Sequence, residues 1–78
     1  MKNEIGQRNY RQLLYYFENK IKVHFKDLDE IFYNGLIIDL SENKLTLVIQ
    51  ERVRGTIPIL LEFIKPDSIQ EYREVGGL

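Results

Sequence analysis

Apolar residues return at every second position on both sides of a polar turn in the stretch FYNGLIIDLSENKLTL, residues 32–47. Leu36, Ile38 and Leu40 precede Ser41-Glu42-Asn43, and Leu45, Leu47 and Ile49 follow it. A period of two belongs to a half-buried strand, because successive side chains of an extended chain point to opposite faces. The pattern predicts a β-hairpin, with the segments before it as an approach and those after it as further strands of the same sheet.

A chain of 78 residues makes one domain and buries only about 60% of the surface its unfolded form exposes. It contains no cysteine, so neither a disulfide nor a thiolate metal site can supplement the core, and a reducing cytoplasm is the simplest compartment. The remaining supports are a tightly packed small barrel or burial of apolar surface against further copies. The longest apolar-rich run, Ile57 to Ile64, contains Pro58 and Glu62 and is well short of the ~20 residues of a membrane-spanning helix. The first residues, MKNEIGQRNYRQ, are polar where a secretory signal has its apolar core. The expectation is a cytoplasmic protein with no membrane partner.

The net charge of −1 conceals an asymmetry. Residues 1–26 carry six basic side chains against two acidic ones, and residues 27–78 carry five basic against ten acidic, giving +4 and then −5. Proteins that rely on non-specific phosphate attraction are basic overall. Any nucleic-acid surface here is therefore local.

Taken in order, residues 7–18 predict an amphipathic helix, with Tyr10, Leu13, Leu14 and Phe17 at the i, i+3, i+4, i+7 spacing of one face. Asn3 or Gly6 would mark its start and Asn19 its stop. So short a helix must dock on something, most simply one open end of a barrel. Residues 20–26 predict the first strand, with Ile21, Val23 and Phe25 on one face and Lys22, His24 and Lys26 on the other. The single histidine thus lies among lysines, without the partners that a metal site requires. Asp27-Leu28-Asp29-Glu30 reads as a solvated acidic connection into a second strand over 31–40, where the interior Gly35 marks a bulge, a bend or the close approach of another backbone. A third strand covers 44–51, and Gly55 supplies a positive φ in the turn after it. A fourth strand covers 56–64, with Pro58 on an edge, at a bulge or near the strand start. It is apolar on both faces, and Leu60 and Ile64 need a second cover. Lys65-Pro66-Asp67-Ser68 forms a turn, 69–73 a fifth strand, and the Val75-Gly76-Gly77-Leu78 tail is expected to fray. The fold class is thus mostly β, a small barrel of five bent antiparallel strands with an N-terminal α-helix, in one domain spanning 1–78.

This arrangement resembles the Sm and Sm-like family of SH3-like barrels over nearly the whole chain, Tyr10 to Arg73. The family's first signature is similar to GLIIDLSENKLTL: glycine in the second strand at Gly35, then Asp39, Asn43, and the apolar Leu45 and Leu47. Its second signature, an apolar residue followed by Arg-Gly, a polar pair and another apolar residue, corresponds to Ile64-Lys65-Pro66-Asp67-Ser68-Ile69. Here lysine replaces the arginine and proline the glycine. Glu42 replaces the methionine often found before the loop asparagine, and Ser41 stands where a base is commonly stacked. A small polar side chain offers no aromatic platform for a base.

The resemblance implies an RNA-binding protein that assembles into a homo-oligomeric ring, the fourth strand of one subunit pairing with the fifth of the next. Asn43 and Lys65 would contact RNA, with Ser41 near the base and Arg8 and Arg11 as phosphate contacts. Gly35 and Asp39 would structure the loop, and Ile57, Leu60, Ile64 and Ile69 would face the neighbouring subunit. The alternative is a protein-interaction or scaffold module on the same barrel, with RNA binding lost. Its hot-spot candidates are Tyr10, Tyr15, Tyr16, Phe32 and Tyr33, since buried aromatic residues dominate interfaces. Catalysis is not expected. There is no cysteine nucleophile, no phosphate-binding glycine loop and no metal-ligand spacing, and no cofactor is implied.

Overall fold

The first turn of helix α1 begins three residues earlier than the apolar spacing predicts, so that α1 spans Glu4–Glu18. The structure, a computed structural model, describes residues 4–73; Asn3 and the Val75–Leu78 tail lie outside the described residues. The buried face of α1 is formed by Gly6, Asn9 and Leu13, and Tyr10, Tyr16 and Phe17 pack beside it on the core. Asn9 is fully buried. Its Nδ2 donates to the carbonyl oxygens of Leu61 at 2.8 Å and Ile64 at 2.9 Å, while its Oδ1 has no partner among the described residues. A helical asparagine therefore ties α1 to carbonyl groups that no strand satisfies. Asn9→Ala is expected to cost about 1–3 kcal/mol, because it leaves Ile64 O without a donor while Leu61 O keeps only the bond from Ile64 N, and Asn9→Asp to cost more, because it sets a carboxylate against both carbonyls. Urea denaturation of the two variants measures both effects.

The helix ends on a left-handed residue, but it is Lys20 (φ 55°) and not the neighbouring asparagine. Ile21 N donates to Tyr16 O and Lys20 N to Phe17 O, the paired bonds of a Schellman ending.

Five antiparallel strands form one sheet: β1 (Val23–Lys26), β2 (Phe32–Ser41), β3 (Thr46–Glu51), β4 (Gly55–Leu60) and β5 (Gln70–Glu71). Their spatial order is β4-β3-β2-β1-β5. The two outermost strands, β4 and β5, do not pair with each other, so the sheet is open. The core comprises Leu13, Val23, Phe25, Tyr33, Ile37, Leu47, Ile49, Ile59, Leu61 and Ile64, between the inner face of the sheet and α1.

Two features differ from the period-two reading. In β2 the register against β3 shifts between Ile37 and Asp39. Tyr33, Gly35 and Ile37 face inward before this bulge and Leu40 turns to the core after it, leaving Ile38 exposed. One extra residue reverses the parity of everything that follows. Strand β4 ends at Leu60 rather than at residue 64, and Leu61–Phe63 forms a 3-10 turn. The near-helical spacing of this turn carries Leu61 and Ile64 into the core beneath α1, so α1 covers Ile64. The segment then meets the end of β1, where Leu28 N donates to Phe63 O at 2.9 Å and Lys65 N to Lys26 O at 3.0 Å, and a second 3-10 turn, Pro66–Ser68, leads to β5.

Candidate functional site

The β2–β3 turn holds Ser41 and Asn43. Ser41 Oγ accepts from Lys44 N at 3.1 Å, and the left-handed position is Leu45 (φ 52°) rather than Asn43. Asn43 is exposed. Asp39 is also exposed, and its carboxylate makes no hydrogen bond or ion pair among the described residues, so the turn is braced by Ser41. Leu45 O accepts from Leu61 N at 2.9 Å, which sets this turn beside the start of the segment that carries Lys65.

Lys65 is half-buried and its Nζ is bonded to Glu30 Oε2. Glu30 Oε1 meets Lys26 Nζ at 2.7 Å. The hydrogen bonds from Lys26 and then Lys65 hold the Glu30 carboxyl at about 2, well below its ordinary 4.5. Lys65 is thereby committed to an internal partner, and no hydrogen bond joins it to Asn43. Arg8 lies 3.6 Å from Asp67 with both side chains mostly exposed, a pairing of little energetic weight, and Gln12 donates to Pro66 O at 3.3 Å. Arg11 is exposed on the same helix. Of the residues expected at a subunit interface, Leu60 is 54% exposed, Ile57 and Ile69 are half-buried against the core, and Ile64 is fully buried in it.

The aromatic candidates divide in the same way. Tyr15 is 59% and Phe32 52% exposed, whereas Tyr33 is buried. Phe32 is stacked on His24 at 5.1 Å and lies under Lys26 Nζ at 5.5 Å. His24 Nδ1 is bonded to Asn34 Oδ1.

Two arrangements are invisible to a reading of the chain alone. One is the turn between β1 and β2, where Asp27 is 1% exposed rather than solvated. Its Oδ1 accepts from Asp29 N at 2.8 Å and Ile31 N at 3.1 Å, and its Oδ2 from Tyr33 OH at 2.8 Å. The other is a groove of about 690 Å³ on the sheet, lined in part by Lys22, Leu36, Gln50, Arg52, Arg54 and Tyr72. Along its lining Arg54 binds both oxygens of the buried Glu51, donates to Phe32 O at 2.7 Å and lies 4.9 Å from the Tyr33 ring. Burial alone would raise the Glu51 carboxyl, but hydrogen bonds from Arg54 and from Asn34 N outweigh it and hold it below the usual range. The alternating Lys22, His24 and Lys26 were the only signal for this face; their cross-strand neighbours depend on the register.

Among the described residues no group of three or more His, Cys, Asp or Glu side chains could hold a metal ion, and no helix is long and apolar enough to cross a membrane. Compared with protein-family models, curated proteins and solved structures, the chain matches none.

Proposed function

We propose that this chain is a non-enzymatic Sm-like module that closes as a small barrel, assembles with copies of itself and binds single-stranded RNA. The observation that carries the reading is the strand order. It leaves β4 and β5, the two strands that the resemblance pairs between subunits, at opposite edges of one sheet. Two different edges on each copy make a head-to-tail contact, which generates a ring when the rotation closes. A ring also repeats the turn of half-buried Ser41 and exposed Asn43 around one axis, where a weak site gains avidity from effective concentration. Arg8 and Arg11 lie exposed on α1 and would serve the phosphates.

The test is fluorescence anisotropy with short U-rich and A-rich RNAs across a salt series, alongside light scattering. Salt-dependent binding is expected, lost in Asn43→Ala. Arg11→Ala, at an exposed position of α1, should reduce the salt slope by about one. No binding at low salt would sink the RNA claim. The Lys65–Glu30 bond favours one alternative, a scaffold that binds another protein through exposed aromatic residues such as Phe32 and Tyr15. A monomer or dimer indifferent to RNA would favour it.

A further inference from the structure

The turn between β1 and β2 gathers two lysines from distant parts of the chain onto one carboxylate. Lys26 Nζ lies 2.7 Å from Glu30 Oε1, and Lys65 Nζ is bonded to Glu30 Oε2. Lys26 ends β1, Lys65 lies just beyond the 3-10 turn Leu61–Phe63, and Lys65 N donates to Lys26 O at 3.0 Å, so the backbone itself sets the two side chains together. Two ammonium groups brought to one point repel each other unless an anion stands between them. The place they share is an anion site, and Glu30 fills it.

Glu30 is an occupant of this site rather than a support of the turn. Its side chain is 57% exposed, whereas Asp27, in the same turn, is buried and holds the amides of Asp29 and Ile31. Glu30 also takes a left-handed backbone (φ 69°), a conformation that suits glycine or asparagine better than glutamate. Beside the site lies the flat surface that the Ser41 turn lacks. The exposed Phe32 ring is stacked on His24 and lies 5.5 Å from Lys26 Nζ. An anion between two lysines and a planar group on an aromatic ring are neighbouring parts of a single-stranded nucleotide chain, whose phosphates meet cations and whose bases stack. A carboxylate-bearing peptide supplies the first part without the second.

We propose that Lys26, Lys65 and Phe32 form a phosphate-and-base site for single-stranded RNA, and that Glu30 competes with the phosphate for the two lysines as a built-in inhibitor that RNA must displace. This rests on the RNA reading above and adds to it Lys26, Phe32 and the competing carboxylate. It does not depend on assembly, since one copy carries all four residues. Exposed ion pairs are individually weak, so Glu30 tempers binding rather than abolishing it.

The experiment is fluorescence anisotropy of the wild type, Glu30→Gln and Asp29→Asn with a short oligouridine over a salt series. Both substitutions remove one negative charge from the same turn, but the Asp29 carboxylate makes no hydrogen bond or ion pair among the described residues. Glu30→Gln should bind about 3- to 10-fold more tightly at low salt, with a salt slope steeper by about one to two, because two lysines neutralised internally now neutralise phosphates. Asp29→Asn should leave the slope as it is. In the Glu30→Gln background, Lys26→Ala and Lys65→Ala should each lower the slope by about one, whereas Lys65→Ala alone should barely change it. Phe32→Ala should weaken binding about 5-fold or more at an unchanged slope, the loss of one stacked base. If Asp29→Asn tightens binding as much as Glu30→Gln, or if Glu30→Gln matches the wild type in affinity and slope, Glu30 is not a competitor and this proposal falls while RNA binding stands. If neither the wild type nor Glu30→Gln binds at the lowest salt, both readings fall.

Discussion

Asp27→Ala is expected to destabilise the fold by about 3–5 kcal/mol, because it leaves the buried Tyr33 hydroxyl and two part-buried turn amides with no acceptor. Asp29 N, Ile31 N and Tyr33 OH all converge on this carboxylate at 2.8–3.1 Å. Against a total stability of about 5–10 kcal/mol for a domain of this size, such a loss approaches global unfolding. Asp27→Asn keeps one acceptor oxygen and is expected to lose less. The two variants also differ from the wild type in acid. Burial pushes the Asp27 carboxyl up, but hydrogen bonds from Tyr33 OH and from the Ile31 and Asp29 amides outweigh it and leave it below its ordinary 3.8. A carboxyl depressed in the folded state contributes stability that is fully present above its unfolded value and lost as pH falls through its folded value. Glu30 acts with the same sign between 4.5 and about 2. Urea midpoints measured from pH 6 to pH 2 should therefore fall steadily in the wild type, and less steeply in Asp27→Asn. An Asp27→Ala protein as stable as the wild type would show that this turn does not depend on its buried carboxylate.

The same residue marks the limit of what the chain discloses on its own. Asp27-Leu28-Asp29-Glu30 has the composition of a solvated turn, and nothing in its spacing announces that the first aspartate is buried, because burial depends on Tyr33 crossing from the next strand. Where the signal is local, the reading holds. The alternation Ile21 to Lys26 yields Val23 and Phe25 buried in β1, Gly55 takes the positive φ (82°), and Pro58 lies on an edge strand. Where one residue changes the phase, it fails. The bulge at Ile38 separates inward Tyr33 and Ile37 before it from inward Leu40 after it, so Leu36 and Ile38 do not share the phase of Leu40, and the run Ile57 to Ile64 fits a strand and a 3-10 turn equally well until α1 is in place above it. Asn9 escaped notice because polar residues are assigned to a helix's outer face by default. Of the candidate site, the exposure of Asn43 and of the basic helix positions was legible. The capture of Lys65 by Glu30 was not, since the two lie 35 residues apart.

Gly35→Ala is expected to be at least as damaging as the loss of Asp27, for a steric reason. A Cβ built on Gly35 would stand 2.2 Å from Gln50 O, 3.0 Å from Gln50 C and 3.3 Å from Ile49 Cγ1. The nearest of these is backbone, which cannot rotate aside as a side chain would. Strand β3 must move away from β2, disturbing the ladder on either side and unseating Ile49, which is fully buried. A cost of about 3 kcal/mol or more is expected. Gly55→Ala is the control. It has no atom within 4 Å of its Cβ but a φ of +82°, so its cost is conformational, about 1–2 kcal/mol. Thermal and urea melts should rank the two clearly, with Gly35→Ala the more destabilised. The ranking bears on function as well as on fold. The close approach at Gly35 gives this glycine a local, steric purpose that owes nothing to RNA, so its place in the spacing by which the chain resembles Sm-like proteins has an explanation in strand packing. If Gly35→Ala instead folds with wild-type stability, β2 and β3 are not pressed together at this point.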